Sequence, residues 1–313
     1  MNESFVLRDV RFNNRIFVAS GTFGYGDEVA ELVELDRLGG IMTKSLSLKP
    51  RDGNPPPRIT ETASGMLNSI GLANIGVHKF IEAKIPALEN LACAVIANIA
   101  ASTVEEYCDV LELLDPYKRV DGFEINVSCP NVKEGGLSFG TDRTKVALIT
   151  KELRKRTRKP LIIKLTPNVT HISEFARAAE AEGADAVSVI NTLIGMAVNI
   201  HTKKPRLSTV TGGLSGPAIK PVALAKVFEV YKSVKIPVFG IGGIATWEDA
   251  VEFFLVGASA VQVGTKNFVN PASAIEISKG VAEYCVHHSI DNVSQLVGSL
   301  NADTGVSVIQ SWL

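Results

Sequence analysis

The chain has 313 residues, 46% of them hydrophobic and 21% charged, with a formal net charge of -1. That composition can build a sizeable core, and it leaves no charge excess to draw the chain to nucleic acid. No apolar run reaches about 18 residues, and the N-terminus has neither a secretory pattern nor an Arg-rich amphipathic one, so a cytoplasmic protein without a membrane partner is expected.

Taken in chain order, short β-rich runs alternate with amphipathic helical stretches throughout. Strands are expected at 16–19, 40–43, 94–99, 122–127, 161–165, 186–190, 238–241 and 260–263, each apolar enough to be covered on both faces. Helices are expected at 27–38, 76–91, 103–114, 142–157, 172–182, 221–233, 246–256 and 271–288, with Thr103 and Thr246 as N-caps. Eight strands each followed by a helix match an α/β fold of the (β/α)8 TIM-barrel type, forming one domain over 1–313. An open doubly wound sheet would place a dinucleotide fingerprint after its first strand. Ser20-Gly-Thr-Phe-Gly-Tyr-Gly26 is Gly-rich but lacks the G-x-G-x-x-G spacing. Three segments, 44–75, 128–141 and 191–220, exceed the usual βα loop length, and all follow strand C-terminal ends. In the first, Pro55-Pro56-Pro57 reads as a rigid spacer, because strand-like sequence resumes at Arg58-Ile59-Thr60.

The C-terminal face of such a barrel is where chemistry is expected. The run Gly122-Phe-Glu-Ile-Asn-Val127 reads as a buried strand, and Asn126-Val-Ser-Cys129-Pro-Asn131 places a thiol just past its end among amides and a hydroxyl. A lone cysteine is most often a small buried hydrophobe, but one so placed is also a candidate base or nucleophile. Gly240-Ile-Gly242-Gly243-Ile follows the seventh strand and Gly264-Thr265 the eighth, the two loops whose backbone amides hold a phosphate in this architecture. Either Gly cluster could be an ordinary tight turn; the pair together favours an anion site. Lys44 and Lys164 end two strands, where a lysine is a cofactor or carboxylate partner, a Schiff-base nucleophile, or a snorkelling rim residue. Asn68, Asn98, Asn126 and Asn191 supply the paired donors and acceptors that read a flat polar heterocycle, although a single buried Asn is commonly structural. His78, His171, His201, His287 and His288 lie away from strand ends, which leaves Cys129 as the acid/base candidate. The four cysteines are far apart, with no C-x-x-C pair and no spaced His, so neither a metal site nor a disulfide framework is suggested. The basic run at 151–159 is taken as a solvated helix end.

Six features stand together in the sequence: Ala19-Ser-Gly-Thr-Phe-Gly-Tyr-Gly26, Pro50-Arg-Asp-Gly-Asn-Pro-Pro-Pro-Arg58, Gly65-Met-Leu-Asn-Ser-Ile-Gly-Leu72, the segment from Asn126 through Val132-Lys-Glu-Gly-Gly136, Gly212-Gly-Leu-Ser-Gly-Pro-Ala-Ile-Lys-Pro221, and the two glycine turns. On these the chain resembles the dihydroorotate dehydrogenases of pyrimidine biosynthesis along nearly its whole length. Phe-Gly-Tyr-Gly and Val-Lys-Glu-Gly-Gly are similar to the NAD-linked class 1B catalytic subunit rather than to the fumarate-linked homodimer. The resemblance implies FMN across the barrel mouth, with its phosphate on Gly242, Gly243, Gly264 and Thr265. The rest of the cofactor would touch Ser20, Lys44, Ser45, Asn98, Asn126, Lys164, Ile190 and Gly216. It further implies dihydroorotate held by Lys44, Asn68, Ser69, Ile70, Gly71, Leu72, Asn126, Asn191 and Thr192. Cys129 would remove the C5 proton as hydride leaves C6 for the flavin, and Lys164 would stabilise the reduced ring.

With no dinucleotide fingerprint, the chain is not expected to bind NAD directly. The resemblance supplies an electron-transfer subunit carrying FAD and a [2Fe-2S] cluster, in a heterotetramer built on a homodimer of this chain. Membrane-bound relatives use a serine base and an N-terminal extension, neither of which is read here. Ser45 and Ser69 stand where Gly and Ala are frequent in the family, Ile75 where Pro is usual, and Val198-Asn199 where Ile-Asp is usual. Three other readings stay open: a fumarate-linked member of the family acting by itself, a flavin-free phosphate-binding lyase using Lys164 as its amine, and a non-catalytic partner-binding barrel.

Overall fold

Eight parallel strands close into a barrel in a computed structural model of the protein, which describes residues 3–128, 130–131 and 137–301. The strands are β1 (Ile16–Val18), β2 (Gly40–Met42), β3 (Ala94–Ile99), β4 (Gly122–Asn126), β5 (Leu161–Leu165), β6 (Ala186–Val189), β7 (Val238–Ile241) and β8 (Ala260–Val263). They pair in chain order, and β8 closes onto β1 through Val261 opposite Ile16. The strands are buried on both faces because one side meets the helices and the other fills the barrel. Each lies within one residue of its expected bounds.

The helices are α1 (Val77–Ala83), α2 (Ile85–Leu88), α3 (Val104–Leu114), α4 (Arg143–Arg154), α5 (Ile172–Ala181), α6 (Lys220–Tyr231), α7 (Trp247–Leu255) and α8 (Ser273–His287). Thr103 caps α3 by accepting from the Glu106 amide at 3.1 Å, and Thr246 and Asp249 form a reciprocal capping box on α7. Two expected helices differ. The stretch 27–38 holds only the 3-10 turns Asp27–Val29 and Leu35–Arg37. There Glu28 turns back to accept from the Tyr25 amide and, with Asp27, pairs with Lys84 of the next helical segment, so its acidic residues serve tertiary contacts rather than a helix. The stretch 76–91 divides at Lys84, where Pro86 opens a new short helix because it has no N–H for the preceding turn.

The segments 44–75 and 191–220, expected as loops, instead build a second layer. Strands Leu193–Met196, Thr211–Ser215, Gly65–Asn68 and Ile59–Thr62 form an antiparallel sheet in that order, connected to the C-terminal ends of β2 and β6. The lower end of the barrel is closed by an N-terminal hairpin, Phe5–Leu7 with Val10–Phe12. Its Phe5 and Phe12 pack with the inward residues Phe17, Met42, Ile96, Ile162, Ala186, Phe239 and Ala260. Phe17 meets Phe12 and Phe239 edge to face at 5.1 and 5.2 Å. The barrel floor is thus solid and apolar, and the mouth lies at the other end. Among the described residues no helix is long and apolar enough to cross a membrane.

Close packing of the outer ring makes one substitution informative. A Cβ on Gly280 of α8 would lie 2.3 Å from the Trp247 ring of α7. Helix propensity favours Ala by about 1 kcal/mol, whereas overpacking costs about 1–3 kcal/mol. Gly280→Ala is therefore expected to lower the urea midpoint despite improving the helix, and a raised midpoint would show that the ring moves aside at no cost.

Candidate active site

Two residues above the apolar floor, the barrel interior turns polar. Along a strand the inward positions recur every second residue, so Ile96, Ile162, Ala186 and Ala260 are succeeded by Asn98, Lys164, Ser188 and Gln262, and β4 contributes Glu124. All five are buried. Glu124 accepts from Asn98 Nδ2, Ser188 Oγ and Gln262 Nε2, each at 2.7 Å, and faces Lys164 Nζ at 3.5 Å. On the mouth side Asn98 Oδ1 accepts from Ser45 Oγ at 2.6 Å. Ser45, Asn98 and Lys164 are thereby joined into one network. Glu124, its centre, together with Ser188 and Gln262, escapes the sequence reading because each sits within an apolar run. Two residues before Asn126, Ile190 and Gly264 was the signal available.

The next layer up holds the heterocycle-reading amides. Asn126, at the end of β4, accepts through Oδ1 from the Ser128 amide and from Asn191 Nδ2, both at 3.2 Å. Tyr107 of α3 donates to the Asn126 carbonyl at 2.6 Å, fixing the strand end from behind. Thr192 follows Asn191 and packs against Gly213, where a Cβ would lie 2.2 Å from Thr192 Oγ1. Gly213 pairs with Asn68, whose side chain donates to the Gly213 carbonyl at 3.4 Å. Asn126, Asn191, Thr192 and Asn68 therefore line one continuous edge. The turn 68–72 is held by Asn54, which donates to the Ser69 and Ile70 carbonyls. Gly71 at φ 74 leaves no room for a Cβ beside the Asn54 backbone, and Leu72 also takes positive φ.

Lys44 stands at the mouth above β2, with its amide on the Gly24 carbonyl at 2.7 Å. Among the described residues its ammonium has no carboxylate partner. Burial, and then the nearby Arg58, push the Lys44 pKa below that of an ordinary lysine. It is a cation with no anion set against it among the described residues.

The phosphate end is equally specific. Gly242 and Gly243 take φ 132 and 77 and pack so tightly against Ala223 and Lys220 of α6 that a Cβ would lie 2.8 Å from either. Gly264 differs, since a Cβ there would meet only the Ala19 methyl at 3.6 Å and would project into open space. Among the described residues the amide N–H groups of Gly242, Gly243, Gly264 and Thr265 have no acceptor. Gly216 adjoins them, its carbonyl 2.9 Å from the position of a Gly243 Cβ, and Thr265 Oγ1 donates to Ser215 at 2.8 Å. Orphan amides at adjacent strand ends form an anion cradle, and the residues present fit a phosphate-bearing cofactor such as FMN. Ser20 follows Ala19, whose amide bonds the Val263 carbonyl at 2.8 Å and whose methyl lies beside Gly264. Ile190 lies between the two regions, its amide on the Ile241 carbonyl at 3.0 Å.

Cys129 lies outside the described residues. Burial raises the thiols of Cys93, Cys108 and Cys285, that of Cys93 to about 12, so none of these is suited to proton abstraction near neutrality. Lys164 faces the buried Glu124 carboxylate at 3.5 Å, so its amine is engaged in an ion pair rather than presented as a free Schiff-base nucleophile. Among the described residues no group of His, Cys, Asp or Glu could hold a metal ion.

The dihydroorotate dehydrogenase family model matches residues 4–285. The chain is 51% identical over 303 residues to the dihydroorotate dehydrogenase B (NAD(+)) catalytic subunit of Thermoanaerobacter sp. (strain X514), covering 97% of this chain and all of that one. It is 52% identical over 294 residues to the protein of the same name from Geobacter metallireducens, covering 94% and 96% of the two chains. A crystal structure of DHODH in complex with ferulenol from Eimeria tenella superposes with a TM-score of 0.79 at 23% identity, over 95% of this chain and 88% of that one, and supports the barrel fold. Motifs, barrel geometry and relatives agree, and the chain belongs to the dihydroorotate dehydrogenase family.

Proposed function

We propose that the chain, as a single-domain FMN-dependent catalytic subunit, oxidises (S)-dihydroorotate to orotate in the cytoplasm during UMP biosynthesis. The observation that supports this most is the joining of three features at one barrel mouth: orphan amides, a lysine held by a buried carboxylate, and an unpaired cation beside an edge of amides. When bound, FMN supplies the acceptor for the hydride leaving C6 of dihydroorotate. The amides of Gly242, Gly243, Gly264 and Thr265 hold its phosphate, and Ser20, Lys44, Ser45, Asn98, Asn126, Lys164, Ile190 and Gly216 surround the remainder. Lys44 meets the substrate carboxylate, while Asn68, Ser69, Ile70, Gly71, Leu72, Asn126, Asn191 and Thr192 orient the ring. Cys129 takes the C5 proton. Lys164 places positive charge where negative charge develops.

Electrons then pass to NAD through a partner subunit carrying FAD and a [2Fe-2S] cluster, in a heterotetramer built on a dimer of this chain. The relatives' designation as catalytic subunits of an NAD(+) enzyme and the missing dinucleotide fingerprint support this division of labour. Purified chain should be yellow and should reduce an artificial dye with dihydroorotate, but NAD only after the partner is added. Efficient NAD or fumarate reduction by the chain alone would refute the two-subunit reading.

The lowered Lys44 pKa gives a pH signature. Its ammonium is lost at a lower pH than an ordinary lysine's, so KM for dihydroorotate should rise early on the alkaline side. Lys44→Arg, which stays charged, should abolish that alkaline rise. An identical KM profile in the two proteins would remove Lys44 from carboxylate binding.

A further inference from the structure

The roles assigned above leave Glu124 unused, although its carboxylate is fully buried at the centre of the polar layer. Burying a carboxylate is costly unless it is paired and hydrogen-bonded, and the barrel fills the layer below with apolar side chains instead. Four donors from four other strands converge on Glu124: Asn98 of β3, Lys164 of β5, Ser188 of β6 and Gln262 of β8. Ser188 and Gln262 also bond each other at 3.2 Å, so Oε2 is clamped from the far side while Oε1 serves Asn98 and Lys164. The two residues on Oε1 are the two that belong to the cofactor site.

Directionality follows from that clamp. A carboxylate only accepts, so it selects the amide orientation of Asn98 that turns Oδ1 outward, where it receives the Ser45 hydroxyl. The reversed amide would set two acceptors against each other at Glu124 and would turn Ser45 from a donor to Oδ1 into an acceptor from Nδ2. Charge follows as well, since Glu124 offsets part of the positive charge of Lys164 within a buried layer, where such effects are weakly screened. We propose that Glu124 is a positioning residue for the redox site: clamped by Ser188 and Gln262, it fixes the Lys164 ammonium and the Asn98 amide and thereby sets the reduction equilibrium of bound FMN. This rests on the flavin reading above.

Reduction adds negative charge to the cofactor, and a fixed carboxylate beneath Lys164 opposes that addition. Removing the charge while keeping the shape should therefore favour the reduced form. In Glu124→Gln the equilibrium constant for two-electron reduction is expected to rise about tenfold, which is about 30 mV in midpoint potential. Glu124→Asp keeps the charge and should return the potential to near the wild-type value even if FMN binds less tightly. Apoprotein FMN affinity, the midpoint potential by dye equilibration and urea unfolding are measured on all three proteins. A purely structural role for Glu124 predicts that both variants lose stability and affinity together while the bound fraction keeps the wild-type potential, and that result would overturn the proposal. If Glu124→Gln does not fold, Ser188→Ala takes its place. It removes one donor from Oε2 and keeps the charge, so Lys164 is drawn further onto Glu124 and the potential should move the opposite way; an unchanged potential there overturns the proposal equally. Wild-type protein that fails to take up FMN would instead refute the flavin reading itself, so the two failures are distinguishable.

Discussion

Cys129→Ser is expected to slow the reduction of bound FMN by dihydroorotate by about a hundredfold to ten-thousandfold near neutral pH, with FMN content unchanged. The expectation rests on proton removal from C5 by a thiolate, which needs only a modest pKa depression to be populated at that pH, whereas a serine hydroxyl does not ionise there without a partner base. Among the described residues no other thiol is suited to substitute. Among the described cysteines all three thiols are raised by burial, and no histidine is expected at a strand end. The strand end before Cys129 is held independently of the thiol: Tyr107 bonds the Asn126 carbonyl, Asn191 bonds its side chain, and the Gly140 amide bonds the Val127 carbonyl at 2.7 Å. Loss of rate in the serine variant would thus report chemistry rather than collapse of β4. Anaerobic stopped-flow bleaching of the flavin at saturating dihydroorotate measures the step directly, and a rate within threefold of wild type would transfer the base role elsewhere.

How much of this was legible in the sequence depends on where each residue's partners lie. The eight barrel strands are predominantly apolar runs such as Ala94–Ile99 and Leu161–Leu165, buried on both faces, and a pattern complete within itself needs no partner to be read. The mouth sheet is less legible: strand-like sequence shows at Arg58-Ile59-Thr60, but Thr211–Ser215 is half-exposed and Gly-rich, and its pairing with Gly65–Asn68 spans more than a hundred residues. The stretch 27–38 has helical periodicity, but its acidic residues are claimed by Lys84. At the site, strand-end residues such as Lys44, Asn126 and Lys164 could be picked out because position alone marks them in a barrel. One layer deeper, Glu124 and Gln262 look like isolated polar interruptions until the closed barrel sets β4 and β8 across from each other. Their meaning is a property of closure, and closure is non-local.

That closure also determines what happens when Lys164 is removed. Lys164→Met should cost about 3–5 kcal/mol of apoprotein stability, because it leaves the carboxylate of Glu124 buried without its countercharge. The pair as a whole is worth far less than either deletion suggests, since the desolvation of two charges nearly cancels their attraction. The double variant Lys164→Met/Glu124→Gln is accordingly expected to recover most of the lost stability, with the Gln side chain still able to bond Asn98 and Ser188. Catalysis should not recover with it. A cation directed at developing charge in a water-poor site contributes about a hundredfold to a thousandfold in rate, and neither the single nor the double variant restores one. Urea unfolding of the apoproteins beside stopped-flow rates of the FMN-loaded forms separates the two effects. If stability and rate rise together in the double variant, Lys164 acts through the integrity of the barrel layer; if stability alone returns, its ammonium acts on the reaction.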